Sequence, residues 1–355
     1  MAELEIDYKK IAKNINQFKL NKEKIIAVVK NNAYNMDLED SIRTMYQTGI
    51  RYFATTSLNE AISIRKILKD VDIFLINPTY KFEEVKKYDI EINISSLNYL
   101  KENYENLSGL KLHMEYAGFM NRSGVKNLEE AIEVIKFSNE NNLILKALWC
   151  HFAHADEFDG NYEIEKSRIL NIYEELCKIH KFEVKHFQNS ASYLRDGIFE
   201  IASHIRPGIM LYGAYPYDVK KNPTKEVYKP YQTFEVRAKV LNIRELDKND
   251  SIGYCNSYIA NKKTCVAIAD IGYGDGILRS RLTGKTCIIN GREYEILSVM
   301  MSHIVVEIDK DVKIGDQVII YNDNLPIYSY NKYCNSNSEQ MAVLNKNSLH
   351  VIKKY

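Results

Sequence analysis

The feature that most constrains this chain is a strand–helix alternation through the first two-thirds of its 355 residues. Ile11, Ile15 and Phe18 recur at helical spacing, and IIAVV at 25–29 follows as a continuous apolar run of strand length. LEDSIRTMYQTGI is amphipathic, RYFATT reads as a short strand, LNEAISIRKIL as a helix and DIFLIN as a strand. EINIS, a helix near 97–106, GLKLHME, a long helix over 127–140, LKALWCHF, a helix over 162–180 and VKHFQ continue the series. Runs that are apolar throughout suit strands buried on both faces, as in parallel sheets. The alternation admits a closed (β/α) barrel or a doubly wound sheet. A strand count near eight favours a (β/α)8 TIM-type barrel.

The pattern changes after Tyr215-Pro216. TFEVRAKVLNIREL, TCVAIADI, KTCIINGREYEIL, HIVVEI and DQVIIYN are rich in Val and Ile, with turn signals at Asn290-Gly291 and Ile314-Gly315-Asp316. The expected organisation is a barrel over 1–232, whose first few residues can join the other unit, and an all-β domain over 233–355.

Lys plus Arg total 48 and Asp plus Glu 47, which argues against a nucleic-acid protein with a broad basic surface. No apolar run approaches the ~18 residues of a membrane span. The N-terminus MAELEIDYKKIAKNI lacks a signal-like apolar core. The six cysteines (Cys150, Cys177, Cys255, Cys265, Cys287, Cys334) form no CxxC pair and no zinc spacing. They suit a reduced, cytoplasmic protein without a metal, each thiol being expected as a small buried hydrophobe.

AVVKNNAYN at 27–35 carries the strongest chemical signal. It places Lys30 at the C-terminal end of an apolar strand, the end that faces the active site in a barrel. Position alone allows a snorkelling lysine. It also allows an amine whose pKa is lowered by an apolar pocket for Schiff-base chemistry. Tyr34, four residues on, reaches the same mouth. Taken singly, Arg206 in RPG reads as a surface loop charge, His151 as a core histidine and QNSAS as a helix cap.

Taken together, these segments resemble the alanine racemases, the fold-type III pyridoxal phosphate enzymes. AVVKNNAYN resembles the cofactor-lysine motif. EIDYKKIAKNI, FMNRSGV, CHFAHADE, QNSAS, IRPGIMLYG, SIGYCNSY, IGYGDGILR and VMMSHIVVEI resemble further family segments in the same order. The resemblance implies pyridoxal 5′-phosphate bound covalently at Lys30, which also acts as base on one face of an amino-acid substrate. It implies Tyr254 as base on the opposite face. His151 would bridge Tyr254 and Arg206, and Arg206 would meet the pyridine nitrogen. A tyrosine ordinarily near pKa 10 needs a neighbouring charge or hydrogen bond to serve as base. Tyr34, Ser190, Gly208 and Ile209 correspond to the phosphate cradle, with Tyr355 a further phosphate contact. Arg122 and the Met301 backbone correspond to the substrate-carboxylate site, and Tyr273 and Arg279 to its mouth. A homodimer is implied in which Tyr254 and Met301 reach the partner's site.

The chain departs from that pattern around the carboxylate. Many relatives carry a carbamylated lysine where this chain has Glu115, seven residues before Arg122; a glutamate supplies an anion there without carbon dioxide. EYAGFMNR replaces a DTGMGR-like run, Ser302 stands where an aspartate is usual, and Leu297-Ser298 replaces Gly-Arg. The expected activity is interconversion of L- and D-alanine. Racemisation of serine, lysine or ornithine stays open, as does a cofactor-binding protein without turnover. A decarboxylase of this fold group would need a glycine-rich phosphate motif and a C-terminal catalytic cysteine segment, which the chain does not display.

Overall fold

The computed structural model describes residues 1–221, 228–330 and 337–355, so Cys334 lies outside the described residues. Two compact units divide the chain. One comprises 12–211 and 215–229; the other comprises 1–11, 212–214 and 230–355. No helix among the described residues is long and apolar enough to cross a membrane.

Strand β1 (Glu3–Asp7) belongs to the second unit. The first unit is built on seven parallel strands in sequence order: β2 (Ile26–Val28), β3 (Tyr52–Thr55), β4 (Asp72–Leu75), β5 (Glu91–Ile94), β6 (Lys111–Tyr116), β7 (Ile144–Cys150) and β8 (Val184–His186). Residues in β2, β3 and β5 are buried at every position, as two-sided burial in a barrel requires. Serine and asparagine side chains open the intervening helices. Ser96 Oγ accepts from Tyr99 N–H at 3.0 Å, and Asn127 Oδ1 from Glu130 N–H at 2.9 Å.

The eighth position is an extended segment rather than a regular strand. Ile205 N–H donates to Lys24 O, Ile26 N–H to Ile205 O and Val28 N–H to Pro207 O, at 2.9–3.0 Å. On its other side Ser203 N–H donates to Lys185 O and Arg206 N–H to Gln188 O, at 2.9 and 2.8 Å. Residues 203–207 therefore close the barrel between β8 and β2. Pro207 has no N–H to extend that ladder. Ile26, Val28, Tyr52, Ala54, Phe74, Ala147, Trp149 and Val184 pack together in its core. Trp149 meets the polar requirement of its buried indole by donating to Asn93 Oδ1 at 3.0 Å.

The second unit contains β9 (Phe234–Leu246), the hairpin β10 (Ser251–Ile252) and β11 (Tyr258–Ile259), β12 (Thr264–Ala269), β13 (Thr286–Ile289), β14 (Arg292–Val299), β15 (Ile304–Ile308), β16 (Gln317–Tyr321) and β17 (His350–Lys354). Long β9 pairs with β16 at one end and β12 at the other, closing a six-stranded ring of β9, β12, β15, β14, β13 and β16. Strand β1 adds to β9 antiparallel and to β17 parallel. Asn290 and Gly291 both have positive φ (50° and 77°) between β13 and β14, the two-residue geometry that matches strand twist.

Candidate active site

Lys30 follows β2 after the single residue Val29, at the C-terminal end of the parallel strands. Burial lowers its pKa, and the charge of Arg122 lowers it further. Both effects favour the neutral, nucleophilic amine. Asn31, Asn32, Ala33, Tyr34 and Asn35 then all have φ between 53° and 66°, a left-handed turn. Left-handed backbone costs L-residues about 1–2 kcal/mol each, least for asparagine, which fills three of these five places. Asn32 pins the turn: its N–H donates to Glu60 Oε1 at 2.7 Å, and its Oδ1 accepts from Leu38 N–H at 2.8 Å.

The turn carries Tyr34 onto Gly208. A Cβ at Gly208 would lie 2.3 Å from the Tyr34 hydroxyl, so only glycine admits that approach. Gly208 N–H donates to Ser190 Oγ at 3.0 Å. Ser190 opens the short helix Ser190–Asp196, but its cap is Asn189, whose Oδ1 accepts from Ser192 N–H at 3.0 Å. The capping role read from QNSAS therefore falls to Asn189, and the Ser190 hydroxyl turns to Gly208. Ile209, half-buried, begins a tight turn over Ile209–Tyr212. Burial pushes the Tyr34 phenol up to about 12, keeping it a proton donor. Hydroxyls beside the N-terminal amides of turns make a concavity suited to a phosphate.

Arg206 is buried in the barrel, not a surface loop charge. Its Nη2 donates to Cys150 O at 2.6 Å and lies 3.5 Å from His151 Nδ1. Its Nη1 donates to the His186 carbonyl and lies 3.1 Å from His186 Nδ1. His186 Nε2 lies 2.9 Å from His113 Nδ1, and His113 Nε2 lies 2.7 Å from Glu91 Oε2. Glu91 Oε1 accepts from Lys146 Nζ at 2.5 Å. Aromatic rings clamp this file: Phe74 stacks on His113 at 4.1 Å and Trp149 on His186 at 5.8 Å. Burial holds both histidines below their ordinary values, hence neutral. Against the burial that would raise it, hydrogen bonding from His113 and the Lys146 charge bring Glu91 to about 2. Burial and the charges of Arg206, Arg122 and Lys30 bring His151 to about 3. Burial draws Arg206 itself down to about 10, still protonated at neutral pH.

Glu115, on β6, is buried, whereas the Arg122 side chain is half-exposed. The two meet at 3.5 Å. Glu115 is held independently by Asn93 Nδ2 at 2.8 Å and by the Ser123 hydroxyl. Gly124, at φ 98°, passes so close that a Cβ would lie 2.4 Å from the Glu115 carbonyl oxygen.

The remaining candidates lie in the β unit. Tyr254 is 69% exposed, on the tip between β10 and β11. Beneath it Ser257 Oγ and Ser298 Oγ lie 2.7 Å apart, giving Ser298 a structural partner. Tyr273 N–H donates to Met300 O and Gly274 N–H to Met301 O, at 2.9 and 2.8 Å. The Arg279 guanidinium lies 4.8 Å over the Tyr273 ring, and Met301 is exposed. Tyr355 stacks on Tyr8 at 5.3 Å.

The expectation of uniformly buried thiols is corrected. Cys150 and Cys287 are buried and Cys265 is half-buried, but Cys177 and Cys255 are exposed. Cys177 ends a helix and Cys255 sits on the Tyr254 tip. Sequence reasoning missed the left-handed turn and the His186–His113–Glu91–Lys146 file. The asparagine richness of KNNAYN and polar residues inside apolar strands were the available signals.

A closed parallel barrel that carries a half-buried amine at a strand end and an anion cradle in the same unit, followed by a β-barrel unit, defines a protein equipped to hold an anionic group and a nucleophile. The family model for the alanine racemase N-terminal domain matches residues 6–216, and that for the C-terminal domain matches 233–351. The chain is 40% identical over 338 residues to alanine racemase 2 of Staphylococcus aureus (strain Mu50), covering 93% of this chain and 92% of that protein. The solved alanine racemase of Acinetobacter baumannii has a TM-score of 0.85 at 25% identity, covering 100% and 99% of the two chains. The Bartonella henselae alanine racemase, solved with covalently bound pyridoxal phosphate, shares the fold at a TM-score of 0.84 and 24% identity, covering 99% of each chain. This chain belongs to the alanine racemase family.

Proposed function

We propose that this protein is a cytoplasmic, homodimeric alanine racemase that uses pyridoxal 5′-phosphate. The observation that carries the reading is Lys30, a half-buried amine of lowered pKa at a barrel strand end, in one unit with the Tyr34–Ser190–Gly208 cradle and Arg206. Pyridoxal phosphate, when bound, supplies the electron sink that acidifies the substrate Cα–H.

Tyr34, Ser190 and the amides of Gly208 and Ile209 hold the phosphate. Arg206, which keeps its proton, offers a donor to the pyridine nitrogen. Arg122, oriented by Glu115, binds the substrate carboxylate. Lys30 anchors the cofactor and moves a proton at one face of the substrate α-carbon. Tyr254 of a second copy moves it at the other face, since racemisation removes the proton from one side and returns it to the opposite one. Neutral His151 links that tyrosine to Arg206. Met301 of the second copy offers its backbone to the substrate carboxylate, Tyr273 and Arg279 line the mouth, and Tyr355 is a further phosphate contact. The exposed Cys177 and Cys255 thiols suit a reducing compartment.

The test begins with the purified protein loaded with the cofactor. Its visible absorbance should vanish in Lys30→Ala. Incubation with L-alanine in deuterated water should give D-alanine deuterated at Cα, with L-serine, L-lysine and L-ornithine as comparators. Bound cofactor without exchange of alanine would overturn the reading. Mixing and reassembling inactive Lys30→Ala and Tyr254→Phe chains tests the shared site. A hybrid dimer regains one intact site if Tyr254 crosses over, and no activity returns if each site lies within one chain.

A further inference from the structure

We infer that Glu165 is the positioning residue that locks the Arg122 loop to the His151 loop. Glu165 lies on the Asn161–Cys177 helix and is 3% exposed. Its two carboxylate oxygens serve two separate segments. Oε1 accepts from Phe119 N–H at 3.0 Å, and Oε2 accepts from Ala153 N–H at 3.0 Å. Phe119 lies in the loop after β6, three residues before Arg122. Ala153 lies in the loop after β7, two residues past His151. One buried carboxylate thus ties together the two backbone segments that carry these side chains.

The chemistry suits the task. A carboxylate is acceptor-only at both oxygens, so each amide finds a partner, and charge-assisted bonds of this kind are the strong ones. The surrounding packing converges on the same point. Gly118 has φ 56°, and a Cβ there would lie 2.9 Å from Glu165 Oε1. Arg168, one turn along the helix, sets its guanidinium 4.7 Å over the Phe119 ring. The Phe119 ring meets His154 edge-on at 5.8 Å, pressing loop against loop. Loops beyond barrel strands are otherwise the mobile part of such folds. Arg122 is half-exposed and, among the described residues, its one side-chain hydrogen bond or ion pair is the 3.5 Å contact to Glu115, so the backbone beneath it must supply its placement.

The kinetic part of this inference rests on the racemase reading; the loop geometry does not. Hydrogen exchange on the cofactor-loaded wild type, Glu165→Gln and Glu165→Ala decides it. Glutamine turns one acceptor oxygen into an NH2 donor, so one amide loses its partner; alanine removes both. Exchange at Phe119 and Ala153 should rise roughly 10-fold or more in Glu165→Ala, and at one of the two in Glu165→Gln. KM for L-alanine should rise roughly 10-fold while kcat changes less than about threefold, at unchanged cofactor content and melting temperature within a few degrees. Protected amides in folded Glu165→Ala would overturn the clamp. Freed amides with an unchanged KM, in a protein that racemises alanine, would overturn its role in placing Arg122. Should Glu165→Ala fail to fold, Glu165→Gln decides the same point at a single amide. If the protein racemises nothing, the exchange result still decides the clamp.

Discussion

Arg206 Nη1 lies 3.1 Å from Nδ1 of His186, a ring wholly buried in the barrel. A guanidinium can only donate, so His186 Nδ1 must accept and its proton must sit on Nε2. That proton faces His113 Nδ1, which places the His113 proton on Nε2, facing Glu91. One arginine thereby sets two tautomers and aims the file at a carboxylate that Lys146 neutralises.

Lys146→Met should therefore remove the 2.5 Å ion pair of Glu91 and leave it the longer contact to Lys111, at 3.8 Å. Removing one partner of a buried ion pair costs about 3–5 kcal/mol. Urea unfolding of the variant should show a loss of that order. A loss below about 1 kcal/mol would mean that the pair carries little.

His151 gives a pH signature. Its folded pKa, about 3, lies below the ordinary 6.5, so as pH falls through 6.5 the unfolded chain takes up the proton and the native one does not. Stability should fall between about pH 6.5 and 3, at about 1.4 kcal/mol per pH unit from this ring. His113 and His186 act in the same direction. Urea titrations of the cofactor-free chain at pH 6, 5 and 4.5 should show a shallower slope in His151→Asn, by about one proton. An unchanged slope would mean that His151 is protonated in the fold.

Gly208→Ala tests the cradle. The added methyl would enter at 2.3 Å from the Tyr34 hydroxyl and 3.0 Å from its ring carbon. We expect cofactor affinity to fall at least about 10-fold, about 1.4 kcal/mol, by equilibrium dialysis. Tyr34→Phe added to Gly208→Ala should relieve part of the clash, so the two changes should be non-additive in thermal stability. Simple additivity would place Tyr34 elsewhere.

Asn31 is exposed and left-handed at φ 54°. Asn31→Gly should be neutral or stabilise by a few tenths of a kcal/mol, whereas Asn31→Val should cost about 1–2 kcal/mol. Denaturant midpoints of the two variants would separate accordingly. Equal midpoints would contradict a left-handed turn after Lys30.

Much of the architecture is legible in the sequence because it is local. Continuous apolar runs mark the seven regular strands, period-3.6 patterning marks their main helices, and Asn290-Gly291 marks the β13–β14 hairpin. The eighth barrel position is not legible as a strand, since residues 203–207 include Pro207 and are held by neighbours distant in sequence. The helix Phe82–Lys87 leaves no periodic mark because six residues span too few turns to show a period.

The sequence by itself determined the order of elements, the placement of Lys30 at a strand end and the family motifs, because each depends on residues close together in the chain. Only the tertiary structure decided what those residues touch. Barrel closure brings His186 to His113 across 73 positions, Glu91 to Lys146 across 55, and Glu165 to Phe119 across 46. A lone buried histidine or carboxylate carries no mark of its partner in the sequence. Its charge state and its proton's position are set by which strands and loops fold against it, where water is excluded and each polar atom must find a partner.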